Sequence, residues 1–425
     1  MNINFLEILS VDSIVLCFTL ILLLPITVLF LECVAAFFSN RRSLKNKAVT
    51  SDRRPTVTVL IAAHNEEAVI GGTIATILPQ LNDRDKLIVV ADNCSDRTAL
   101  VAKNFDATVI ERKNLDQRGK GYALDYGLKS IQHPSDVVII IDADCHAEPN
   151  YVESVAKMAM ASGRPVQPIN LLHRADKSNL KSAISEFAFI VKNLVRPKGL
   201  AELNFPCLIT MGTAYPWSVI NKVPLASDNL VEDMQLGIDL AIAGNPPLFC
   251  SDTKVTGVLP LRNRAATTQR TRWEHGHLST LKTQVPRLLA ESWKQKRIDL
   301  LAIACDLSIP PLSFLVILWV MVTAIALVVT FAEGRLNTAI YTLAIEGLLL
   351  LVGISLAWVK FGLHIIPLKS LVSIPLYILS KIPIYLRFLI KPEQRWIRTE
   401  RDAIGTALSV KNISATRKAE LAYKE

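Results

Sequence analysis

The chain has 425 residues, of which 51% are hydrophobic and 20% are charged, with a formal net charge of +9. It is too apolar for an ordinary soluble protein, yet long enough for one sizeable domain beside membrane segments. The seven cysteines form neither a CxxC pair nor an array at zinc spacing, which excludes a zinc site and predicts reduced thiols.

The first predicted element is an apolar run near the N-terminus. This run, Ile14–Leu31, carries no charged residue and is long enough for a membrane-spanning helix. Acidic residues precede it and basic residues follow it, which favours a transmembrane anchor, residues 1–40, over a cleaved signal peptide. The positive-inside rule then predicts that the chain from residue 41 onward lies in the cytosol, and it accounts for the basic cluster without a nucleic-acid partner; the cluster comprises Arg41, Arg42, Lys45, Lys47, Arg53 and Arg54.

Short β-rich apolar runs alternate with helical patterns from residue 53 to residue 175. The predicted strands are Thr56–Ala63, Lys86–Ala91, Ala107–Glu111 and Asp136–Ile141, and predicted helices follow Asn65, Ser95, Gly121 and Asn150. Strands separated by helix-length segments are typical of a mostly parallel sheet with helices on both faces. The sequence therefore predicts a Rossmann-like α/β domain, for which we assign residues 53–300.

Two more apolar stretches, Ile309–Phe331 and Leu336–Val359, predict a pair of transmembrane helices within residues 301–360 that returns the chain to the cytosol. Residues 361–392 differ because prolines and basic residues recur among the aliphatic ones. This pattern predicts interfacial or re-entrant helices, with a fourth span as the alternative. The basic segment 393–425 is predicted to be a cytosolic tail.

Polar residues follow three of the predicted strands, at the edge where open α/β sheets bind their ligands. A helix N-cap is the alternative interpretation of each residue alone, but their coincidence at strand ends favours a composite site. The residues are His64, Asn65 and Glu66 after the first strand, Asp92 after the second, and Asp142 and Asp144 after the fourth.

Asp142 and Asp144 stand two residues apart at the end of a buried-looking strand, so both carboxylates face the same way if the strand continues. Paired carboxylates suit Mg²⁺ or Mn²⁺, which completes its coordination with substrate phosphates. Lys120 opens a helix nearby and is a candidate for neutralising a diphosphate, with a solvated surface lysine as the alternative. Neither a P-loop nor a GxGxxG motif is present, which argues against an ATPase or a dinucleotide enzyme.

Gln269, Arg272 and Trp273 stand at i, i+3 and i+4, which places them on one face of a helix. The guanidinium suits phosphate oxygens and the indole suits the flat face of a sugar, while an amphipathic helix against the membrane is the alternative. The nearby His275 and His277 suit either the diphosphate region or ordinary polar packing.

These motifs, together with the Glu232–Asp233 pair, resemble family 2 glycosyltransferases of the cellulose, chitin and hyaluronan synthase type over residues 55–290. The resemblance implies a GT-A fold, an inverting mechanism and a UDP-sugar donor. It assigns the base or ribose to Asp92, the diphosphate and metal to Asp142 and Asp144, and the role of catalytic base to Asp233. It further assigns the acceptor end and the diphosphate to Gln269, Arg272 and Trp273.

Inversion needs one base opposite the leaving group, and adjacent helical residues diverge by about 100°, so Asp233 rather than Glu232 is the predicted base. The product is expected to be a growing polysaccharide, with transfer of one sugar to a ceramide-like or polyprenyl lipid as the alternative. A non-enzymatic transporter or sensor would show a degenerate catalytic set. We expect an integral protein of the plasma or inner membrane with a cytosolic catalytic domain; its partners are the donor, the acceptor and membrane lipids, with a homo-oligomer or an export partner left open.

Overall fold

A computed structural model of the chain describes residues 11–39, 53–227, 229–334 and 338–393. The basic residues Arg41, Arg42, Lys45 and Lys47 lie outside these ranges, as does the predicted tail apart from its first residue. Arg53 and Arg54 begin the domain, where Arg54 forms an ion pair with Asp85 at 2.7 Å.

An eight-stranded mixed sheet forms the centre of the domain. Its strands are β1 Val57–Ala63, β2 Lys86–Asp92, β3 Thr108–Arg112, β4 Val137–Asp142, β5 His146–Ala147, β6 Val166–Arg174, β7 Thr213–Pro216 and β8 Leu248–Leu259. The spatial order is β3-β2-β1-β4-β7-β6-β8-β5. The first four of these neighbours pair in parallel, while β7 is antiparallel to β4 and β6. The four predicted strands are confirmed to within one residue at either end.

Helices cover both faces of the sheet, as predicted. Because successive strand residues point to opposite faces, Val59 and Ile61 pack with α2 (Ile70–Ile77), α3 (Thr98–Lys103) and α5 (Tyr151–Ser162), which lie on one face. Leu60 and its neighbours pack on the other face with α4 (Lys120–Lys129), α8 (Trp217–Ile220) and α9 (Glu232–Ile242). Burial on both faces explains why the central strands are continuous runs of β-branched residues.

The remaining helices of the domain connect the sheet to the apolar segments. They are α6 (Leu180–Ile190), a π-helix (Val191–Val195), α7 (Arg196–Glu202), α10 (Asn263–Gln295) and α11 (Ile298–Leu307). Helix α10 carries the Gln269–Arg272–Trp273 motif.

Four segments of the described chain are long and apolar enough to cross a membrane: Asp12–Phe38, Leu312–Glu333, Thr338–Phe361 and Leu368–Ile390. The first three correspond to α1 (Val11–Phe38), α12 (Leu312–Glu333) and α13 (Thr338–Phe361). Large apolar side chains such as Ile21, Val328 and Leu351 are more than half exposed on them. Such contiguous apolar surface supports membrane association.

The fourth segment forms three short helices. They are a 3₁₀-helix (Leu368–Ser373), α14 (Ile374–Leu379) and α15 (Ile382–Ile390). Pro375 and Pro383 stand in the first turns of α14 and α15, where proline fits a helix start and cannot continue a preceding helix. Whether this segment lies in the interface or spans the membrane stays a prediction.

Candidate active site

The end of β4 presents the predicted metal ligands. Ligand atoms of Asp142, Asp144 and Cys145 lie within 4.8 Å of one another. The Cys145 thiol is buried against the sulfur of Met211 at 2.8 Å, whereas both carboxylates are partly exposed. Hard oxygen ligands are what Mg²⁺ and Mn²⁺ prefer, so the two aspartates fit such a cation and the thiol is part of the core.

Lys120, at the start of α4, joins β4 to α9. Its Nζ lies 2.6 Å from Oδ1 of Asp142 and 3.0 Å from Oε1 of Glu232. Burial alone lowers the pKa of Lys120, but the charges of Asp142, Glu232 and Asp233 raise this pKa well above its ordinary value. The lysine is therefore a fixed positive charge between the carboxylates of β4 and α9.

The start of α4 fits closely under the loop that precedes α9. A Cβ at Gly121 would lie 2.6 Å from the carbonyl oxygen of Leu225 and 2.7 Å from that of Ser227. Only glycine allows this approach, and it brings Lys120 to Glu232.

Asp233 lies in the first turn of α9 and lines a cavity of about 240 Å³. We call this the catalytic cavity; Lys120, Thr210, Tyr215 and Glu232 also line it. Burial and then the charge of Glu232 raise the pKa of Asp233 from 3.8 to about 6, while Lys120 and the Met234 amide, which donates to its Oδ1 at 2.8 Å, act in the opposite direction. A carboxylate with a raised pKa beside a fixed cation is suited to accept a proton.

The ends of β1 and β2 form the predicted nucleotide side. Arg112 donates to Oδ1 of Asp92 at 2.6 Å, and both side chains are buried. His64 contacts the carbonyl oxygen of Asp92 through Nδ1 at 2.7 Å. The sequence analysis did not identify Arg112. Pairing of β2 with β3 would have indicated it, because this pairing places Arg112 beside Asp92.

Asn65 and Glu66 shape the loop after β1. Asn65 adopts a left-handed conformation with φ 54°, and its Oδ1 accepts the amide of Ser95 at 2.7 Å, so it joins two loops rather than capping a helix. The backbone carbonyl of Glu66 accepts the amides of Val69 and Ile70 at the start of α2. Both residues therefore support the sheet edge at which Asp92 lies.

The Gln269–Arg272–Trp273 motif lies on α10 beside α9. Gln269 is buried, and the Trp273 ring packs on Phe189 of α6 with centroids 5.2 Å apart. A Cβ at Gly276 would lie 2.8 Å from Val231, directly before α9, so α10 runs against the residues that carry Asp233. Because these residues are helical, the side chains of Gln269, Arg272 and Trp273 lie on a common face of α10.

The residues after the motif connect α10 to the C-terminal segment. Glu274 forms an ion pair with Lys381, and Nε2 of His275 contacts the carbonyl oxygen of Ile384 at 2.9 Å. The amide of Glu393 donates to the other nitrogen of His275 at 3.1 Å. His275 thus has the polar packing role, and His277 lies in a cavity described below.

The chain is similar to known proteins in sequence and in fold. Residues 55–276, more than half of the chain, match the model of the family described as "Glycosyltransferase like family 2". The chain is 31% identical over 125 residues to the 4,4'-diaponeurosporenoate glycosyltransferase of Staphylococcus aureus (strain N315). That match covers 29% of this chain and 32% of the relative, so the chain spans about a third of the length of the curated relatives it matches.

A mannosyltransferase from Pyrobaculum calidifontis, solved in complex with GDP-Man and Mn²⁺, is similar in fold. The similarity has a TM-score of 0.54 at 16% identity and covers 88% of this chain and 100% of that chain. At this identity the likeness concerns the fold alone, and it confirms the GT-A architecture. With the family match over the domain that holds Asp142, Asp144 and Asp233, the chain belongs to the glycosyltransferase-like family 2.

Proposed function

We propose that this enzyme transfers one sugar from a nucleotide-sugar donor, by default a UDP-sugar, to a lipid acceptor at the membrane with inversion at the anomeric carbon. The observation that carries the transfer is a cavity lined by Lys120, Glu232 and Asp233, in which Lys120 also forms an ion pair with Asp142 at the end of β4. Asp142 and Asp144 would hold Mg²⁺ or Mn²⁺, which supplies positive charge to the diphosphate leaving group. The Mn²⁺ bound by the similar mannosyltransferase supports this assignment.

The other roles in the proposed reaction fall to side chains of the domain. Lys120 stabilises negative charge on the leaving diphosphate, and Arg272 is proposed to assist it from α10. Asp233 takes the proton of the acceptor hydroxyl as the oxygen attacks the anomeric carbon from the face opposite the diphosphate. Glu232 holds Lys120 and thereby positions it. Asp92 binds the ribose or base, and Gln269 and Trp273 border the acceptor end.

A lipid acceptor is supported by the position of α10, the helix that carries the Gln269–Arg272–Trp273 motif. The residues next to Trp273, namely Glu274 and His275, contact Lys381 and Ile384 of the apolar C-terminal segment. An acceptor that reaches Trp273 therefore passes membrane-associated elements. The relative from Staphylococcus aureus is named for an acceptor, 4,4'-diaponeurosporenoate, and is not named as a polymer synthase. The Gln269–Arg272–Trp273 motif favours a second candidate, extension of a polysaccharide.

Nucleotide release distinguishes these functions. The detergent-purified protein is incubated with a panel of UDP-sugars and GDP-sugars, with Mg²⁺, Mn²⁺ or EDTA, and with or without a membrane lipid extract. We expect metal-dependent release from one donor that increases with lipid, and a product one sugar heavier than the lipid. A ladder of masses would support the polysaccharide instead.

The Asp144→Ala variant serves as the metal control, because removal of one of two carboxylate ligands should abolish metal-dependent donor binding. Absence of metal-dependent release from every donor by the wild-type protein would contradict the proposal. Unchanged Mn²⁺ dependence in Asp144→Ala would remove this residue as a ligand.

A further inference from the structure

A second, smaller cavity adjoins the catalytic cavity. We call it the lysine cavity; it is lined by Lys192, Asn193, Arg196, Thr210 and His277, among others. Thr210 lines both cavities, and Met234, the residue after Asp233, lines the lysine cavity. The volume of about 20 Å³ admits one water-sized group, such as a single ligand oxygen.

Lys192 lies in the π-helix between α6 and α7. A π-turn inserts an extra residue into a helix and is frequent at functional sites. Among the described residues, no hydrogen bond or ion pair engages the Lys192 ammonium. Burial and the charge of Arg196 lower the pKa of Lys192, while Asp233, Asp306 and Glu274 act in the opposite direction. The lysine is thus a half-buried cation without a direct partner in the described part of the chain, and an anionic ligand in the cavity would pair with it.

The acids near Lys192 are engaged elsewhere. Arg196 binds Asp306 at 2.5 Å and Glu32 at 3.1 Å, and Glu274 pairs with Lys381. Asp233 has to stay accessible to the acceptor hydroxyl. None of these acidic groups pairs with the Lys192 ammonium, so its three N–H groups can donate to a ligand.

His277 provides a second polar atom in the same cavity. It is 3% exposed, and its Nε2 has no hydrogen-bond partner in the described part of the chain. Burial and the charges of Lys192 and Arg196 lower the pKa of His277 well below its usual range. A bound anion would oppose these effects and favour a proton on Nε2, which then becomes a second donor.

The lysine cavity is separate from Lys120, the cation assigned to the donor. Lys120 lines only the catalytic cavity, and Lys192 lines only the lysine cavity. Asp233 is within electrostatic reach of both lysines. The second lysine is therefore free to serve the other substrate.

We infer that Lys192 and His277 form a subsite for an acidic group, carboxylate or phosphate, that the lipid acceptor carries next to the hydroxyl attacked in the reaction. This inference rests on the proposed transfer to a lipid. One anionic oxygen enters the lysine cavity and accepts hydrogen bonds from the ammonium, and the neighbouring hydroxyl is left at Asp233. Lys192 acts as a binding residue for the acceptor and takes no part in proton transfer.

Three soluble probes with the same apolar chain test the subsite. The α-hydroxy acid of the dodecanoate series carries a carboxylate next to its hydroxyl, dodecylphosphoglycerol carries a phosphate near its hydroxyls, and the vicinal dodecanediol carries hydroxyls alone. Binding to the full-length protein in a neutral detergent is measured by calorimetry. We expect at least one acidic probe to bind at least about tenfold more tightly than dodecanediol, because hydrogen bonds to charged groups are the stronger class. The two acidic probes tell carboxylate from phosphate.

Variants assign this preference to the lysine. Lys192→Met should remove the preference, Lys192→Arg should keep most of it, and Lys181→Met, which removes an exposed lysine of α6, should keep all of it. In turnover, Lys192→Met should raise the acceptor KM about tenfold and leave nucleotide binding unchanged, which also shows that the variant is folded. If Lys192→Met fails this folding check, the wild type and Lys192→Arg carry the comparison.

Equal binding of dodecanediol and both acidic probes by the wild type, or a preference that persists in folded Lys192→Met, would overturn the subsite. Failure of the proposed function has a different signature, since it would abolish sugar transfer without affecting the preference for acidic probes. An acidic preference that depends on Lys192 therefore stands on its own.

Discussion

At the scale of single residues, the site is held together by one lysine. Lys120 binds Asp142 of the sheet and Glu232 of α9, so it neutralises carboxylates that would otherwise repel each other. The donor diphosphate is itself an anion and would compete for the same ammonium. In the proposed reaction, Lys120 would therefore connect donor binding to the position of Glu232 and of the adjacent Asp233.

Replacement of Asp233 by asparagine tests the catalytic base. The amide has nearly the same shape but cannot take a proton, so we expect sugar transfer to fall by about a hundredfold or more. Nucleotide binding, measured by calorimetry with Mn²⁺, should remain near the wild-type level. Asp83→Asn, in an exposed loop, is the matched control. Turnover retained in Asp233→Asn would exclude this residue as the base.

The same substitution should increase stability above pH 6. The pKa of Asp233 in the folded chain, about 6, exceeds its ordinary value of 3.8, so the folded chain retains a proton that the unfolded chain loses between these values. Stability from this group is complete below pH 4 and is lost as pH rises through 6. The apparent melting temperature of donor-free Asp233→Asn should exceed that of the wild type at pH 7.5, and the difference should shrink at pH 5.

The control for this stability effect is again Asp83→Asn, which should show no such difference at either pH. A gap that is constant with pH would mean that the ionisation of Asp233 is not its cause.

Some residues of the candidate site could be predicted from the sequence, and others could not. Asp142 and Asp144 were predictable because both follow a strand whose apolar run is local in sequence. Lys192 was not, because a lysine in a helical stretch normally reaches solvent, and only the π-helix and the distant α10 place it at the wall of a cavity. Arg112 likewise acquires its role from the pairing of β3 with β2.

At the scale of elements, one half of the sheet could be predicted from local sequence, whereas the other half depends on long-range pairing. Strands β1 to β4 are parallel and alternate with helices, so period and composition sufficed to predict them. Strands β6 to β8 include an antiparallel neighbour and a register shift between Pro168 and Ile169, which depend on long-range pairing. Helix α10 belongs to this second group, since its face is defined by contacts with α9 and with the C-terminal segment.

The contact between α10 and the C-terminal segment leads to a prediction for Lys381. Its ion pair with Glu274 is largely buried, and Lys381→Met would leave the glutamate charge uncompensated. Breaking a buried pair costs about 3–5 kcal/mol. We expect a lower apparent melting temperature and a raised acceptor KM, because Glu274 adjoins Trp273.

Two further variants check this explanation. Lys381→Met combined with Glu274→Gln should regain most of the stability, since no unpaired charge remains. Lys369→Met, which removes an exposed lysine of the same segment, should behave like the wild type. A double variant no more stable than Lys381→Met would mean that the lysine acts through packing and not through the ion pair.

At the scale of the whole molecule, α1 and the domain are joined by buried polar contacts. Arg196 of α7 binds Glu32 of α1 and Asp306 of α11. Lys360, at the end of α13, donates to the carbonyl oxygens of Ala36 at 3.1 Å and Ser39 at 3.0 Å, which caps the C-terminal end of α1. These contacts fix the domain relative to the apolar helices, as the proposed transfer to a membrane lipid requires.

The contact of Arg196 with Glu32 and Asp306 yields the last prediction. Arg196→Met would leave the carboxylates of Glu32 and Asp306 facing each other in a buried site, at a cost of about 3–5 kcal/mol. Because many large proteins unfold irreversibly, the measurement is the half-life of activity during heating in detergent. We expect that half-life to fall sharply in Arg196→Met and to recover in the triple variant with Glu32→Gln and Asp306→Asn, which replaces all three charges. Arg84→Met, at an exposed loop position, should match the wild type. If Arg196→Met survives heating as long as the wild type, the cluster does not hold α1 on the domain, and the apolar contacts between α1 and α13 carry the attachment.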